Sequence, residues 1–73
     1  MNNVLIKLVL KCKGYRYQGS IRGGAYNRVV YGVKPKSDEW CFWYITDRGR
    51  FVVIDRVPNK AMADFKIKVL IGV

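Results

Sequence analysis

The segment Glu39–Thr46 reads Glu-Trp-Cys-Phe-Trp-Tyr-Ile-Thr. In a strand, successive side chains point to opposite faces. Trp40, Phe42 and Tyr44 would then share one face, and Cys41 and Trp43 the other. Such a strand must be covered on both sides, or use one side as a stacking platform for a ligand. The chain has 73 residues, near the lower end of what folds without disulfides or metals. A chain this small needs its large rings inside, so burial of both sets is expected. Hydrophobic residues make up 51% of the chain, which supports a compact core and argues against disorder.

Other segments alternate more simply. From Val4 to Lys13 the even positions Val4, Ile6, Leu8, Leu10 and Cys12 are apolar, and the odd ones include Lys7, Lys11 and Lys13. This period of two predicts a first strand with a row of lysines on one face. Four glycines in the thirteen residues 14–26 predict a turning, loop-rich stretch, with room for a short strand around Arg16–Ile21. A strand is expected over Arg28–Lys34, with Val29, Tyr31 and Val33 on one face, ended by Pro35 and a turn at 35–38. Asp47-Arg48-Gly49 predicts a hairpin turn after Glu39–Thr46. The next strand, Arg50–Val57, would place Phe51, Val53 and Val57 on one side. Asn59 would cap a single helical turn over Lys60–Asp64. A last strand is expected over Phe65–Ile71, with Phe65, Ile67, Val69 and Ile71 inward.

These elements predict one mainly β domain over residues 1–73: a small antiparallel sheet or SH3-like, partly open barrel of about five strands with one short helical turn. An OB-like barrel and a four-stranded sheet with one helix packed across it are the alternatives.

Charge narrows the function. There are 14 Lys plus Arg against 5 Asp plus Glu, a net charge of +9. Residues 1–37 carry eight basic side chains (Lys7, Lys11, Lys13, Arg16, Arg22, Arg28, Lys34 and Lys36) and no acid. Residues 38–73 carry six basic and five acidic side chains, for +1. A domain with one strongly basic half attracts phosphates or carboxylate-rich surfaces and speeds encounter with them.

Catalytic groups are scarce. There is no histidine, the usual acid–base group near neutral pH. Ser20, Ser37 and Thr46 have no partner motif, and Asp38 and Glu39, being adjacent, would point to opposite faces of a strand. Gly19, Gly23 and Gly24 are not followed by the Gly-Lys-Ser/Thr of a phosphate loop. Cys12 and Cys41 lack the further ligands that zinc needs and are expected as reduced core thiols. Neither a metal nor a cofactor is expected. The apolar run Val4–Leu10 is far shorter than a membrane span, so a monomeric cytoplasmic protein without a membrane partner is expected.

The strongest constellation is the basic row beside a basic, aromatic loop: Lys7, Lys11, Lys13, Tyr15, Arg16, Tyr17, Arg22 and Arg28. Arg and Lys neutralise phosphates, and Tyr offers a ring for stacking. The same residue types anchor protein interfaces on acidic surfaces. Arg48 and Arg50, at the hairpin tip, are read as solvated turn residues.

In length, lopsided charge and strand content, the whole chain resembles the small bacteriophage-encoded transcription regulators that bind host RNA polymerase. The resemblance implies a non-catalytic protein of the host bacterial cytoplasm that inhibits initiation and suppresses termination. Its partner would be an acidic surface of bacterial RNA polymerase, near the amino-terminal β′ segment and the flap, or nascent RNA. Two other readings stand beside it: a small barrel that binds DNA or RNA directly, and a small ribonuclease toxin that cleaves with Arg, Lys and Tyr.

Overall fold

The computed structural model describes residues 2–23 and 26–72. Helix α1 (Asn3–Cys12) is followed by strands β1 (Arg16–Gly23), β2 (Tyr26–Val33), β3 (Trp40–Ile45) and β4 (Phe51–Val57), and by helix α2 (Lys60–Ile71). The strands form one antiparallel sheet in the order β1-β2-β3-β4. The fold is thus mainly β and antiparallel, with four strands rather than five and two helices rather than one helical turn. The sheet is open: β1 and β4 lie at opposite edges. Of the loop-rich stretch expected over residues 14–26, the part from Arg16 to Gly23 is the strand β1, longer than the short strand expected around Arg16–Ile21, and residues 24–25 lie outside the described residues.

Each face of the sheet carries one helix. On one face Ile6 and Leu10 of α1 pack with Tyr15, Val30, Cys41 and Trp43. On the other, Ala63 of α2 packs with Val29, Trp40, Phe42 and Val57. This arrangement answers the demand made by β3. Trp40, Phe42, Cys41 and Trp43 are all buried, so neither tryptophan serves as an open stacking platform. Val29, Tyr31 and Val33 lie toward the α2 face, as expected, with Tyr31 stacked on Phe42 at 5.4 Å.

The segment expected as the first strand is α1. Its odd positions are not a polar face, because Leu5 and Val9 are apolar too. The spacing that decides is four: Ile6 and Leu10 are the buried pair, one turn apart on one helix face. Asn2 caps the helix, its Oδ1 accepting from the Leu5 amide at 2.9 Å. Gly14, at φ +90°, reverses the chain after the last turn, and the Tyr15 amide donates back to the Leu10 carbonyl at 2.9 Å. As a result Cys12 is exposed rather than a core thiol, while Cys41 is buried.

The segment expected as a helical turn plus last strand is a single helix, α2. The cap is where the sequence placed it, with Asn59 Oδ1 accepting from the Met62 amide at 2.9 Å. Alternation over Phe65–Ile71 misleads: Phe65, Val69 and Ile71 are exposed, while Ala63, Ile67 and Leu70 face the core. A third correction concerns β4. Phe42 pairs with Asp55 and Trp43 with Val53, so Ile54 is an extra residue. This bulge moves Val57 to the α2 face, whereas Phe51 packs on the α1 face.

Candidate anion-binding cleft

The turn from α1 into β1 builds an open recess. It has a volume of about 510 Å³ and is lined by Lys7, Lys11, Gly14, Tyr15, Arg16, Tyr17 and Pro35. Lys7 and Lys11 stand one turn apart on α1, so they project side by side. Arg16 and Tyr17 begin β1, and Pro35 comes from the turn between β2 and β3.

Gly32 sets how closely these walls approach. A Cβ on Gly32 would lie 2.7 Å from the Arg16 carbonyl oxygen and 3.0 Å from Leu10 Cδ2. Both neighbours belong to the elements that flank the cleft. Only a residue without a side chain lets α1 and the start of β1 pack this tightly on β2.

Tyr15 forms the floor. Its ring meets Trp43 edge-on at 5.0 Å, and its hydroxyl donates to Glu39 Oε2 at 2.5 Å. Burial, and then the bond to Glu39, push the phenol up from 10.0 to about 12. The same bond is the largest of the influences that hold the Glu39 carboxyl below its ordinary value, with the Lys34 charge adding to it. Lys34 Nζ lies 3.7 Å from Glu39 Oε2 and 5.5 Å from the Tyr15 ring centroid, within the range of a cation–π contact. Arg56 belongs to the same cluster, its guanidinium shifted up chiefly by Cys41 and then by Tyr15. Burial raises the Cys41 thiol, which makes it a poor nucleophile.

Glu39 is therefore more than a solvated turn charge. It pairs with Lys34 and holds the Tyr15 hydroxyl at the cleft floor, while Lys7, Lys11 and Arg16 at the rim are exposed. Asp38 is likewise engaged, accepting from Trp40 Nε1 at 3.3 Å.

Of the eight residues expected to bind a partner, Lys7, Lys11, Tyr15, Arg16 and Tyr17 converge on the cleft. Lys13 does not line it. As the residue that ends α1, Lys13 is exposed and out of line with the Lys7–Lys11 pair. The expected single row of three lysines thus becomes a pair plus one, because the segment is helical. Arg22 is exposed toward the far end of β1. Arg28 reaches Asn3 Oδ1 at 3.4 Å and so ties β2 to the start of α1. Pro35 and Glu39 were not anticipated as parts of the site. The only sequence signal for them was their place in the turn that follows the basic strand Arg28–Lys34.

A second recess of about 370 Å³ lies at the other end of the sheet, beside the stacked rings of Tyr26 and Tyr44. Among the described residues no three His, Cys, Asp or Glu side chains cluster as a metal site would require. No described helix is long and apolar enough to cross a membrane. The chain matches no family model, no curated protein and no solved structure.

Proposed function

We propose that this protein is a non-catalytic binding module that holds an acidic partner in the cleft between α1 and β1. The observation that carries the reading is the convergence of Lys7, Lys11 and Arg16 around one recess walled by Tyr15 and Tyr17. Three cations and a tyrosine ring at one rim suit carboxylates presented by a protein surface. The partner proposed is the acidic surface of bacterial RNA polymerase, with inhibition of initiation and suppression of termination as the outcome. The support for this is the chain's likeness, in size and charge, to the small phage regulators of that enzyme.

Tagged protein incubated with bacterial lysate, at near-physiological salt and with nuclease present, is expected to retain polymerase subunits. The folded triple variant Lys7→Glu, Lys11→Glu, Arg16→Glu is expected to lose them. Equal retention by the triple variant would rule out the cleft as the docking site.

The Tyr17 ring beside these cations also favours a second reading, direct binding of single-stranded nucleic acid. In that case the polymerase would disappear on nuclease treatment. Oligonucleotide affinity would also fall steeply with salt, by a logarithmic slope of about −0.7 per phosphate contacted. The ribonuclease reading draws less support. Its best-placed phenol, Tyr15, is pushed up to about 12 and already donates to Glu39, so near neutral pH it stays protonated, with its proton committed, and does not serve as a general base.

A further inference from the structure

The outer face of α1 is apolar. Val4, Leu5 and Leu8 are 66%, 49% and 53% exposed, although a ten-residue helix that packs one face on a sheet normally turns a polar face outward. Stepping round the helix at 100° per residue places the Val4–Leu8 pair directly beside the Lys7–Lys11 pair, with Leu5 beyond it. The exposed part of these three side chains is on the order of 300 Å², comparable to the largest apolar patch of a typical monomer, which is often functional. The apolar ridge, the lysine pair and the cleft therefore run side by side as one continuous surface.

Resting on the acidic-partner reading, we infer that this composite surface takes an amphipathic, acidic helix of a partner protein. Apolar side chains of that helix would lie against Val4, Leu5 and Leu8, and its flanking carboxylates would reach Lys7, Lys11 and Arg16.

Charge and shape select this occupant. A second copy of the chain would bring Lys7 and Lys11 against their own counterparts, and like charges at such a seam are repulsive. A nucleic-acid backbone suits the lysines but leaves the apolar ridge without a complement. A bilayer surface is flat on this scale and leaves the recess behind the lysines unfilled. An amphipathic helix supplies both an apolar stripe and a charged flank whose side chains enter a recess. The other exposed apolar stripe, Met62, Phe65 and Val69 on α2, lies between Lys66, which is already paired with Asp55 at 3.4 Å, and Lys68, and α2 lines neither of the two recesses.

The test uses two fluorescent peptides of about 18 residues, long enough to form a helix. They share one composition of Leu, Ala and Glu. One has Leu at positions i, i+3 and i+7 with Glu on the flank, and the other has the same residues permuted so that no apolar face forms. Anisotropy titrations with the intact protein are expected to show the amphipathic peptide binding about ten-fold more tightly than the permuted one. The double variant Leu5→Ser, Leu8→Ser changes only exposed positions, and its fold is checked by circular dichroism. It is expected to erase that preference while leaving the permuted peptide's affinity unchanged. Lys7→Glu, Lys11→Glu is expected to weaken both peptides.

Equal affinities for the two peptides, or a preference that survives in the Ser variant, would overturn the inference and leave the acidic-partner reading standing. Failure of both peptides to bind would overturn the acidic-partner reading itself. Phosphatidylcholine–phosphatidylglycerol vesicles provide the control for a lipid occupant. Flotation with them that is lost in the Ser variant, without a preference between the peptides, would assign the ridge to a membrane surface and overturn the inference.

Discussion

Tyr15→Phe removes one oxygen from the cleft floor and little else. The ring keeps its edge-on contact with Trp43, while the hydroxyl bond to Glu39 is lost. A hydrogen bond to a charged group contributes about 1.5–3 kcal/mol. The rise of the phenol from 10.0 to about 12 has burial as its first cause and this bond as its second, so the rise does not measure the bond. Tyr15 is buried but the Glu39 side chain is 34% exposed, so solvent screening brings the expected loss toward the low end, about 1.5 kcal/mol at pH 7. For a domain of this size that lowers the Tm by about 10 °C.

The pH dependence tests the cause as well as the amount. The folded value of Glu39 is lowered, so its contribution is present above its ordinary 4.5 and is lost as pH falls through the folded value. The folded value of Tyr15 is raised, so its contribution is complete below pH 10 and is lost as pH climbs toward about 12. The stability gap between the native protein and Tyr15→Phe is therefore widest between about pH 5 and pH 10 and narrows on both sides. Urea denaturation followed by tryptophan fluorescence at pH 3, 7 and 9 measures that gap. A gap that stays constant from pH 3 to 9, or that is absent at pH 7, would refute the assignment of this bond as the anchor of the cleft floor.

Gly32→Ala is expected to destabilise the fold by about 1–3 kcal/mol and to weaken binding in the cleft, because the new methyl group meets the Arg16 carbonyl and Leu10; thermal melts and peptide titrations read the two effects. Thiol labelling of the native protein is expected to modify exposed Cys12 at once and buried Cys41 only on unfolding, so rapid labelling of both would contradict the packing of β3. Asn59→Ala is expected to cost about 1 kcal/mol through loss of the α2 cap. Phe65→Ser, at a side chain 69% exposed, is expected to change stability by less than about 0.5 kcal/mol. A strand with Phe65 pointing inward would instead lose several kcal/mol on that substitution, so denaturant midpoints of this variant discriminate helix from strand directly.

What could be read from the sequence depended on whether a segment's pattern fits one period or two. β3 has large side chains at both parities, so it demanded cover on both faces whatever the rest of the chain did. The structure meets that demand with one helix on each side. Val4–Lys13 and Phe65–Ile71 are ambiguous in a different way. Each alternates over a few residues, and each also fits helical spacing: Ile6 with Leu10 in the first, and Ile67 with Leu70 in the second, in line with Ala63 just before it. Hydrophobic periodicity alone does not separate the two over so short a window. The end signals do. Asn2 and Gly14 bracket the first segment, and Asn59 and Gly72 bracket the second, each pair at a length that suits three turns of helix. Asn59 signals the cap, but the alternation over Phe65–Ile71 masks the helix beyond its first turn.

The site was more legible than the fold around it, and the reason is covalent. Lys7, Lys11, Tyr15, Arg16 and Tyr17 span eleven residues of chain, so any compact path through Gly14 brings them to one corner, whether the first segment is helix or strand. Helical geometry then decides which of them act together. It pairs Lys7 with Lys11, turns Lys13 away, and sets Val4 and Leu8 beside the pair on the outer face. A strand would have put those apolar side chains in the core, opposite the lysines. The exposed ridge is therefore a property of the helix alone and has no counterpart in a strand over the same residues. Arg22 and Arg28 were included for their composition alone, and the strands carry them away from the corner. The contribution of Glu39 depends on the pairing of β2 with β3, which delivers a residue 24 positions from Tyr15 to its hydroxyl. An acid so placed pairs with one lysine of the basic half, Lys34, and holds Tyr15, so the floor of the cleft is a product of the sheet register while its cationic rim comes from α1 and the start of β1.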